Sequence, residues 1–465
     1  MKNFNGTDTI VALATAPGMA AIAIIRLSGS DAISIAEKIF SPKKKSMKLS
    51  TAKSHTLHFG TIEENGKLID EVLVSLMKGP HSYTGEDSIE ISCHGSQYIQ
   101  QKIIALCLSS GARLAGPGEF TMRAFLNGKM DLSQAEAVAD LIAADSSTAH
   151  RLALKQMRGG FSSEIKELRK QLIHFASLIE LELDFSEEDV EFASREQLKE
   201  VIVKLNKVIE ELISSFELGN VIRKGIPVVI AGKPNAGKST LLNAFLNEER
   251  AIVSEMEGTT RDTIEEEITL DGIKFRFIDT AGLRETHDAI EKIGVSKAFE
   301  KMNESPLIIY LFDAAVMNGK DLRTDLVKLK KDVPGDVRII TVGNKIDAVS
   351  QYNLDNDFGN IPDLFYISAR EKINIDTLKN FLISLYGSGK IDANNSIVTN
   401  VRHMDALKKT KEALSHVYKG LQTGITQDFI AADLRQALHH LGEITGEIST
   451  EDLLENIFSK FCIGK

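Results

Sequence analysis

The residues Gly232-Lys233-Pro234-Asn235-Ala236-Gly237-Lys238-Ser239 carry the first chemistry legible in this chain. They fit G-x-x-x-x-G-K-[ST]. In that pattern glycines let successive backbone N–H groups wrap a phosphate, the lysine neutralises it, and the serine hydroxyl ligates Mg2+. The β-branched run Ile226–Ala231 precedes the loop, and the helix-forming run Ser239–Leu246, which includes Thr240, follows it. A helix N-terminus there adds its dipole to the anion site. Further along, Gly258-Thr259-Thr260-Arg261-Asp262 occupies the place of a switch loop, where a threonine completes the Mg2+ shell and senses a γ-phosphate. The strand Lys274–Ile278 runs into Asp279-Thr280-Ala281-Gly282, a D-x-x-G that brings a carboxylate near the metal and a backbone N–H near the γ-phosphate. In Asn344-Lys345-Ile346-Asp347 the carboxylate accepts from the ring N–H and exocyclic amine of guanine, a pattern adenine does not present. Ser368-Ala369-Arg370 closes the set as the loop that supports the base. Each tetrapeptide alone is weak. Five in order imply GTP binding, with GTP hydrolysis following from it.

One position is informative by what it lacks. Leu283 follows the D-x-x-G where Ras-like enzymes keep a glutamine that orients water. Leucine cannot do this, so another group must. Arg284, Glu285, Asp288 and Glu291 lie within reach of the same switch, although each also reads as part of a solvated helix start.

The elements around these loops alternate in character. From about Asn220 to Gly387, apolar runs at Pro227–Ala231, Phe275–Ile278, Leu307–Phe312, Ile339–Val342 and Phe365–Ile367 each precede a polar loop. That alternation predicts a parallel, doubly wound sheet with ligand loops at the carboxyl ends of its strands. On the N-terminal side the chain reads as mixed α/β, with strands at Thr9–Ala14, Ala21–Leu27, Glu71–Met77 and Ser88–Cys93. Helices are expected over Ser30–Phe40 and Tyr98–Ser109. Ile165, Leu168, Leu172, Phe175 and Ile179 form one helical stripe, and Leu198, Val201, Leu205, Val208 and Leu212 another. Helices return after Gly387, with Ile430, Leu434, Leu438 and Leu441 in register. A nucleotide-binding domain inserted into a helical domain accounts for this order. The expected domains are 1–122, 123–220, 221–387 and 388–465, the second and last being two halves of one helical domain.

Bulk properties bound the rest. The chain has 465 residues, net charge -10 and no run long and apolar enough to span a bilayer. That acidity argues against a generally basic coat for nucleic acid, so an RNA partner must meet a local basic face. Lys43-Lys44-Lys45 reads either as a solvated turn or as such a contact. The three cysteines, Cys93, Cys107 and Cys462, have no metal-binding or disulfide spacing, which fits a reducing cytoplasm.

With these motifs in place, the chain resembles the tRNA-modification GTPase MnmE (TrmE) family essentially from end to end. The resemblance rests on Asp8–Ala12, Gly85-Glu86-Asp87, Cys93-His94-Gly95, Pro117-Gly118-Glu119-Phe120, Arg123–Lys129, Asp131–Ala137, Gly258–Asp262 and Phe461-Cys462-Ile463-Gly464-Lys465. It implies an N-terminal α+β, aminomethyltransferase-like domain, a discontinuous helical domain and an inserted Ras-like P-loop G domain.

It further implies a K+-dependent GTPase whose G domains pair across the nucleotide. GTP contacts then run through Asn235, Ala236, Gly237, Lys238, Ser239, Thr240, Ser254, Glu255, Met256, Glu257, Gly258, Thr259 and Thr260. They continue through Asp279, Thr280, Ala281, Gly282, Asn344, Lys345, Asp347, Ser368, Ala369 and Arg370. Mg2+ falls to Ser239 and Thr260, and K+ to Asn235, Ser254, Met256 and Thr259, while Glu291 becomes the residue that positions water. The acidic lead-in Glu255-Met256-Glu257 is unusual for the family and bears on potassium affinity.

In the N-terminal domain, Arg26, Glu90, Lys129 and Lys465 match positions contacting 5,10-methylene- or 5-formyl-tetrahydrofolate; without the resemblance, Arg26 and Glu90 are ordinary strand residues. Cys462 is either catalytic or packed. The implied partners are a second copy of the chain, the flavoprotein MnmG in a heterotetramer, and tRNA whose wobble uridine is modified at C5, with no membrane. Two rivals remain: a ribosome-assembly GTPase related to Era or Der, which calls for a basic RNA-binding module after the G domain, and a folate aminomethyltransferase regulated by GTP.

Overall fold

The computed structural model describes residues 8–184, 195–246, 265–279, 305–335, 337–349, 358–359, 361–386, 397–423 and 426–464. By its contacts the chain divides into two compact units. One comprises Met1–Ala143, Ala153–Glu210 and Asp405–Lys465, and the other Ala144–Leu152 and Glu211–Met404.

The first unit opens with β1 (Ile10–Leu13), β2 (Ala20–Ser28), α1 (Ala32–Ile39), β3 (Phe40–Pro42), β4 (Thr56–Glu64), β5 (Lys67–Met77), β6 (Ser88–Gly95), α2 (Gln97–Ser109) and β7 (Arg113–Leu114). These seven strands form one sheet in the order β3-β4-β5-β6-β2-β1-β7. Alternation along β5 turns Val72, Val74 and Leu76 inward, where they pack with Ile35, Ile103 and Cys107 of the two helices. Leu57, Phe59 and Leu73 stand exposed on the other face. The short β3 and the long β4 were not expected, because Ser41 to Thr56 is lysine- and serine-rich and the alternation of β4 begins only after it.

Helices follow: α3 (Glu119–Leu126), α4 (Leu132–Ala143), α5 (Ser147–Met157), α6 (Gly160–Asp184) and α7 (Arg195–Lys224), with residues 147–152 of α5 and 211–224 of α7 counted in the second unit. The expected stripe on α6 is buried at each of its five positions. At about 1.5–3 kcal/mol for each buried side chain, that face is what holds a helix of this length in place. It packs along the later helix Gln427–Thr445, so two stretches separated by the nucleotide-binding segment share one core. Arg435 pairs with Glu180 at 2.8 Å, Arg169 with Glu447, and the Gln427 amide donates to Glu182 at 3.0 Å across the same seam. On α7 the stripe turns slightly: Ile202 and Ile209 are buried, whereas Val201 and Val208 lie at its margin.

The second unit is built on β8 (Ile226–Ala231), α8 (Lys238–Leu246), β9 (Glu265–Leu270), β10 (Ile273–Asp279), β11 (Leu307–Asp313), β12 (Arg338–Asn344) and β13 (Leu364–Tyr366). The strand order is β13-β12-β11-β8-β10-β9. Five strands run parallel as expected. The sixth, β9, pairs antiparallel with β10, which corrects the expectation of an all-parallel sheet. Glu265-Glu266-Glu267 hides that strand in the sequence, and the turn Asp271-Gly272 makes it a hairpin. Phe245 of α8 packs on Phe277 at 5.2 Å between ring centroids, and both lie in the core beside Phe275. Among the described residues no helix is long and apolar enough to cross a membrane.

Candidate active site

The nucleotide loops leave the carboxyl ends of β8, β11, β12 and β13, as a parallel sheet requires. After β8 the chain turns through Asn235, whose φ is 65°, and Gly237, whose φ is 96°. A Cβ at Gly237 would overlap Nδ2 of Asn344, so only glycine allows these two loops to approach. Lys238 starts α8 almost buried, and its ammonium donates to the Gly232 carbonyl at 3.0 Å and the Lys233 carbonyl at 3.3 Å. The ammonium thus folds back onto the carbonyls at the start of the loop, and a phosphate in the loop is the anion it could neutralise. Ser239 and Thr240 are exposed in the first turn of α8, as is Asn235 in the loop. A hydroxyl at that helix start suits Mg2+, and a side-chain amide oxygen on an exposed turn suits K+.

At the end of β12, Asn344 is buried and tied both ways. Its Nδ2 donates to the Ala236 carbonyl at 2.9 Å, and its Oδ1 accepts from the Ala369 N–H at 2.9 Å. Lys345 takes a left-handed backbone with φ 66°, and its ammonium pairs with Asp313 at the end of β11 at 2.6 Å. That turn leaves Asp347 exposed, its carboxylate available to a base. Ser368 is buried, bridges Ile373 through the backbone and accepts the Glu371 N–H on its hydroxyl at 3.2 Å, while Arg370 extends into solvent. Asp313 was missed in the sequence, although its position at a strand end was a usable signal.

Ser254, Glu255, Met256, Glu257, Gly258, Thr259, Thr260, Thr280, Ala281, Gly282, Leu283, Arg284, Glu285, Asp288 and Glu291 lie outside the described residues, as does Lys465. Asp279 closes β10.

In the first unit, Arg26 of β2 and Glu90 of β6 are direct cross-strand partners. Nε and a terminal nitrogen of Arg26 both donate to Oε1 of Glu90, at 2.9 and 2.8 Å, and the guanidinium lies over Tyr83 and Phe120. The Lys129 ammonium donates to the Pro80 carbonyl at 2.9 Å. Cys462 is exposed. Its carbonyl accepts from the Gly118 N–H at 3.3 Å, and Ile463 bridges Pro117. Burial pushes the Cys93 thiol up to about 11, with the Asp70 charge adding to the effect, and burial alone pushes Cys107 up to about 12. Neither is a ready thiolate.

Residues of the signature stretches turn out to form one ion-pair network around a buried arginine. Arg123 is fully buried and pairs with Asp8 at 2.6 Å, Glu119 at 3.1 Å and Glu86 at 3.2 Å. Arg113 joins Asp8 and Glu119, each at 2.7 Å. Asp8, Glu86 and Glu119 come from three of the signature stretches, so those stretches hold the N-terminal fold together. An arginine four residues after a glutamate, at Glu119 and Arg123, was the available clue.

A phosphate loop, a D-x-x-G strand end and a buried asparagine linking base loop to phosphate loop define a P-loop GTPase. The family model described as MnmE helical domain matches residues 132–462, and that of the GTP-binding protein TrmE N-terminus matches residues 9–129. The chain belongs to the tRNA modification GTPase MnmE family. The protein of that name from Flavobacterium psychrophilum is 54% identical over 460 residues, covering 98% of this chain and 99% of that protein. The one from Cytophaga hutchinsonii is 55% identical over 462 residues, covering 99% and 98%. Era bound to MgGDPNP and a 16S ribosomal RNA fragment is 26% identical over 40% of this chain and 66% of that one, with a TM-score of 0.28, too loose a superposition to bear on fold or function.

Proposed function

We propose that this chain is a K+-stimulated GTPase that acts with the flavoprotein MnmG on tRNA. The product would be an aminomethyl or carboxymethylaminomethyl group at C5 of the wobble uridine, its one-carbon unit coming from tetrahydrofolate. The observation that carries the GTPase reading is the double hydrogen bond of Asn344 to Ala236 and Ala369. It makes base recognition and phosphate binding a single structure. K+ held near Asn235, with Ser254, Met256 and Thr259, would supply positive charge where negative charge develops in phosphoryl transfer. Glu291 takes over the water-orienting task that Leu283 cannot perform.

The Arg26–Glu90 pair supports the folate reading: a guanidinium suits a carboxylate tail, and a carboxylate suits the amines of a pterin. Cys462, the exposed thiol of the three, is the candidate nucleophile there. A cytoplasmic homodimer, joined to MnmG as a heterotetramer, completes the proposal. The ribosome-assembly alternative is not favoured, because the helix Gln427–Thr445 after the G domain packs along α6.

The test compares GTPase rates in KCl and NaCl for wild type and Glu291→Ala. K+ should stimulate the wild type, and the variant should bind GTP but hardly turn it over. Equal rates in both salts would remove potassium from the mechanism. An active variant would remove Glu291.

A further inference from the structure

Two lysine-rich surfaces among the described residues are built differently. On the helix Val401–Thr423, Lys409 pairs with Asp405 and Lys411 with Glu210, each at 2.8 Å. The stretch between Glu37 and Glu63 contains no acidic residue and six lysines: Lys38, Lys43, Lys44, Lys45, Lys48 and Lys53. All six are exposed, and among the described residues none of them forms an ion pair. This occurs in a chain whose net charge is -10.

The lysines sit on a compact loop rather than a frayed one. The Lys43 N–H donates to the Phe59 carbonyl at 3.0 Å, Met47 closes onto the Lys44 carbonyl at 2.9 Å, and the Thr56 hydroxyl closes onto the Lys53 carbonyl at 2.7 Å. Lys78, at the end of β5, straps the loop from outside. Its ammonium donates to the Ser50 carbonyl and its N–H to the Ser54 hydroxyl, both at 2.9 Å. The Glu37 carboxylate accepts the N–H and hydroxyl of Ser50, at 2.7 and 2.8 Å, and makes no close ion pair with a loop lysine. Like charges on one loop repel one another, and among the described residues only the charge of Glu37, acting on Lys48 without a close ion pair, opposes that repulsion. The surface therefore suits a polyanion that supplies regularly spaced phosphates and releases counterions on binding. Ser46, exposed among the lysines, is a further donor of the kind that contacts phosphate oxygens.

We infer that the loop 43–55, with Lys78, docks the phosphate backbone of RNA, here that of the tRNA substrate. The inference rests on the tRNA reading above. An acidic protein repels RNA over most of its surface, so one basic loop also sets the orientation in which the RNA arrives.

The experiment measures binding of an unmodified tRNA transcript to the full chain between 50 and 200 mM salt, roughly the range over which phosphate contacts are lost. Two variants remove the same charge: K43Q/K44Q/K45Q and K408Q/K409Q/K411Q. The first should bind at least about tenfold more weakly at low salt, with a slope of log affinity against log salt shallower by about two to three. The second should match wild type, and both should keep the wild-type GTPase rate. Equal losses in both variants, or no loss in the first, would overturn the inference while leaving the tRNA reading intact. A wild-type chain that binds phosphatidylserine vesicles through this loop and retains no tRNA would overturn both.

Discussion

Asn344 donates to the Ala236 carbonyl at 2.9 Å, so the loop that follows β12 is fastened to the glycine-rich loop that follows β8. Asn344→Ala strands that carbonyl and the Ala369 N–H in a buried place. An unsatisfied buried group costs about 1–3 kcal/mol, so affinity for a fluorescent guanine nucleotide should fall by about fivefold to 150-fold. Unchanged affinity would show that the two loops are positioned independently.

Arg123 sits among three carboxylates. In Arg123→Met, Arg113 can still hold Asp8 and Glu119, but Glu86 keeps only the Ser28 hydroxyl at 2.7 Å and its weaker neighbours. Stranding a fully buried charge costs about 3–5 kcal/mol, so the partly buried Glu86 should cost less than that, and the denaturant midpoint of the first unit should drop accordingly. Glu86→Gln in the Arg123→Met background should recover part of the loss, because it removes the stranded charge.

Acid should act on the same network. Burial opposes ionisation of Asp8 and Glu119, yet hydrogen bonds from Arg113, joined by Arg123 at both carboxylates and by the Gly116 N–H at Glu119, outweigh it and hold both below their ordinary values of 3.8 and 4.5. A carboxylate whose folded value is depressed contributes stability that is present above its unfolded value and lost as pH falls through the folded one. Melting of the first unit should therefore be level near neutrality and fall steeply below about pH 4.5. Glu119→Gln should show a lower plateau and a shallower fall, and an unchanged pH profile would remove Glu119 from the linkage.

Glu90→Gln leaves the Arg26 guanidinium without its partner charge and takes the carboxylate from any pterin amine. Binding of 5-formyl-tetrahydrofolate, followed by calorimetry, should weaken by about tenfold or more, as expected for a charge-assisted hydrogen bond. Nucleotide binding should be unaffected. Retention of full folate affinity would make the pair a structural cross-strand bridge only.

Gly464 has φ 97°, and a Cβ there would overlap the Leu13 carbonyl. Gly464→Val should therefore release the tail from Pro117 and Gly118. The readout is faster labelling of Cys462 by a thiol reagent, with labelling at the wild-type rate as the contrary result.

Motif chemistry was the most legible part of the sequence, because phosphate and base recognition demand particular residues at particular strand ends. Gly237 and Lys238 come after β8, Asn344 closes β12 and Ala369 comes after β13, with Asn344 joining the loops after β8 and β13 by hydrogen bonds. Periodicity found α6 for the same kind of reason: five apolar residues on one face have only one sensible use. β9 escaped because an edge strand with a solvated face can open with three glutamates. The cluster of Arg123 with Asp8, Glu86 and Glu119 escaped because long-range ion pairs leave no period in a sequence. Arg26 and Glu90 were placed by resemblance alone, and their pairing depends on a strand register that no local pattern encodes.

The tail segment Cys462-Ile463-Gly464 closes against Leu13, Pro117 and Gly118, residues made more than three hundred positions earlier in synthesis. A ribosome adds roughly 5–20 residues per second, so the N-terminal sheet is exposed for tens of seconds before the segment that seals this corner emerges. A chain interrupted anywhere in the helical or nucleotide-binding segments would carry an unsealed N-terminal domain. Assembly of that corner thus reports that translation has passed through every part of the molecule in between.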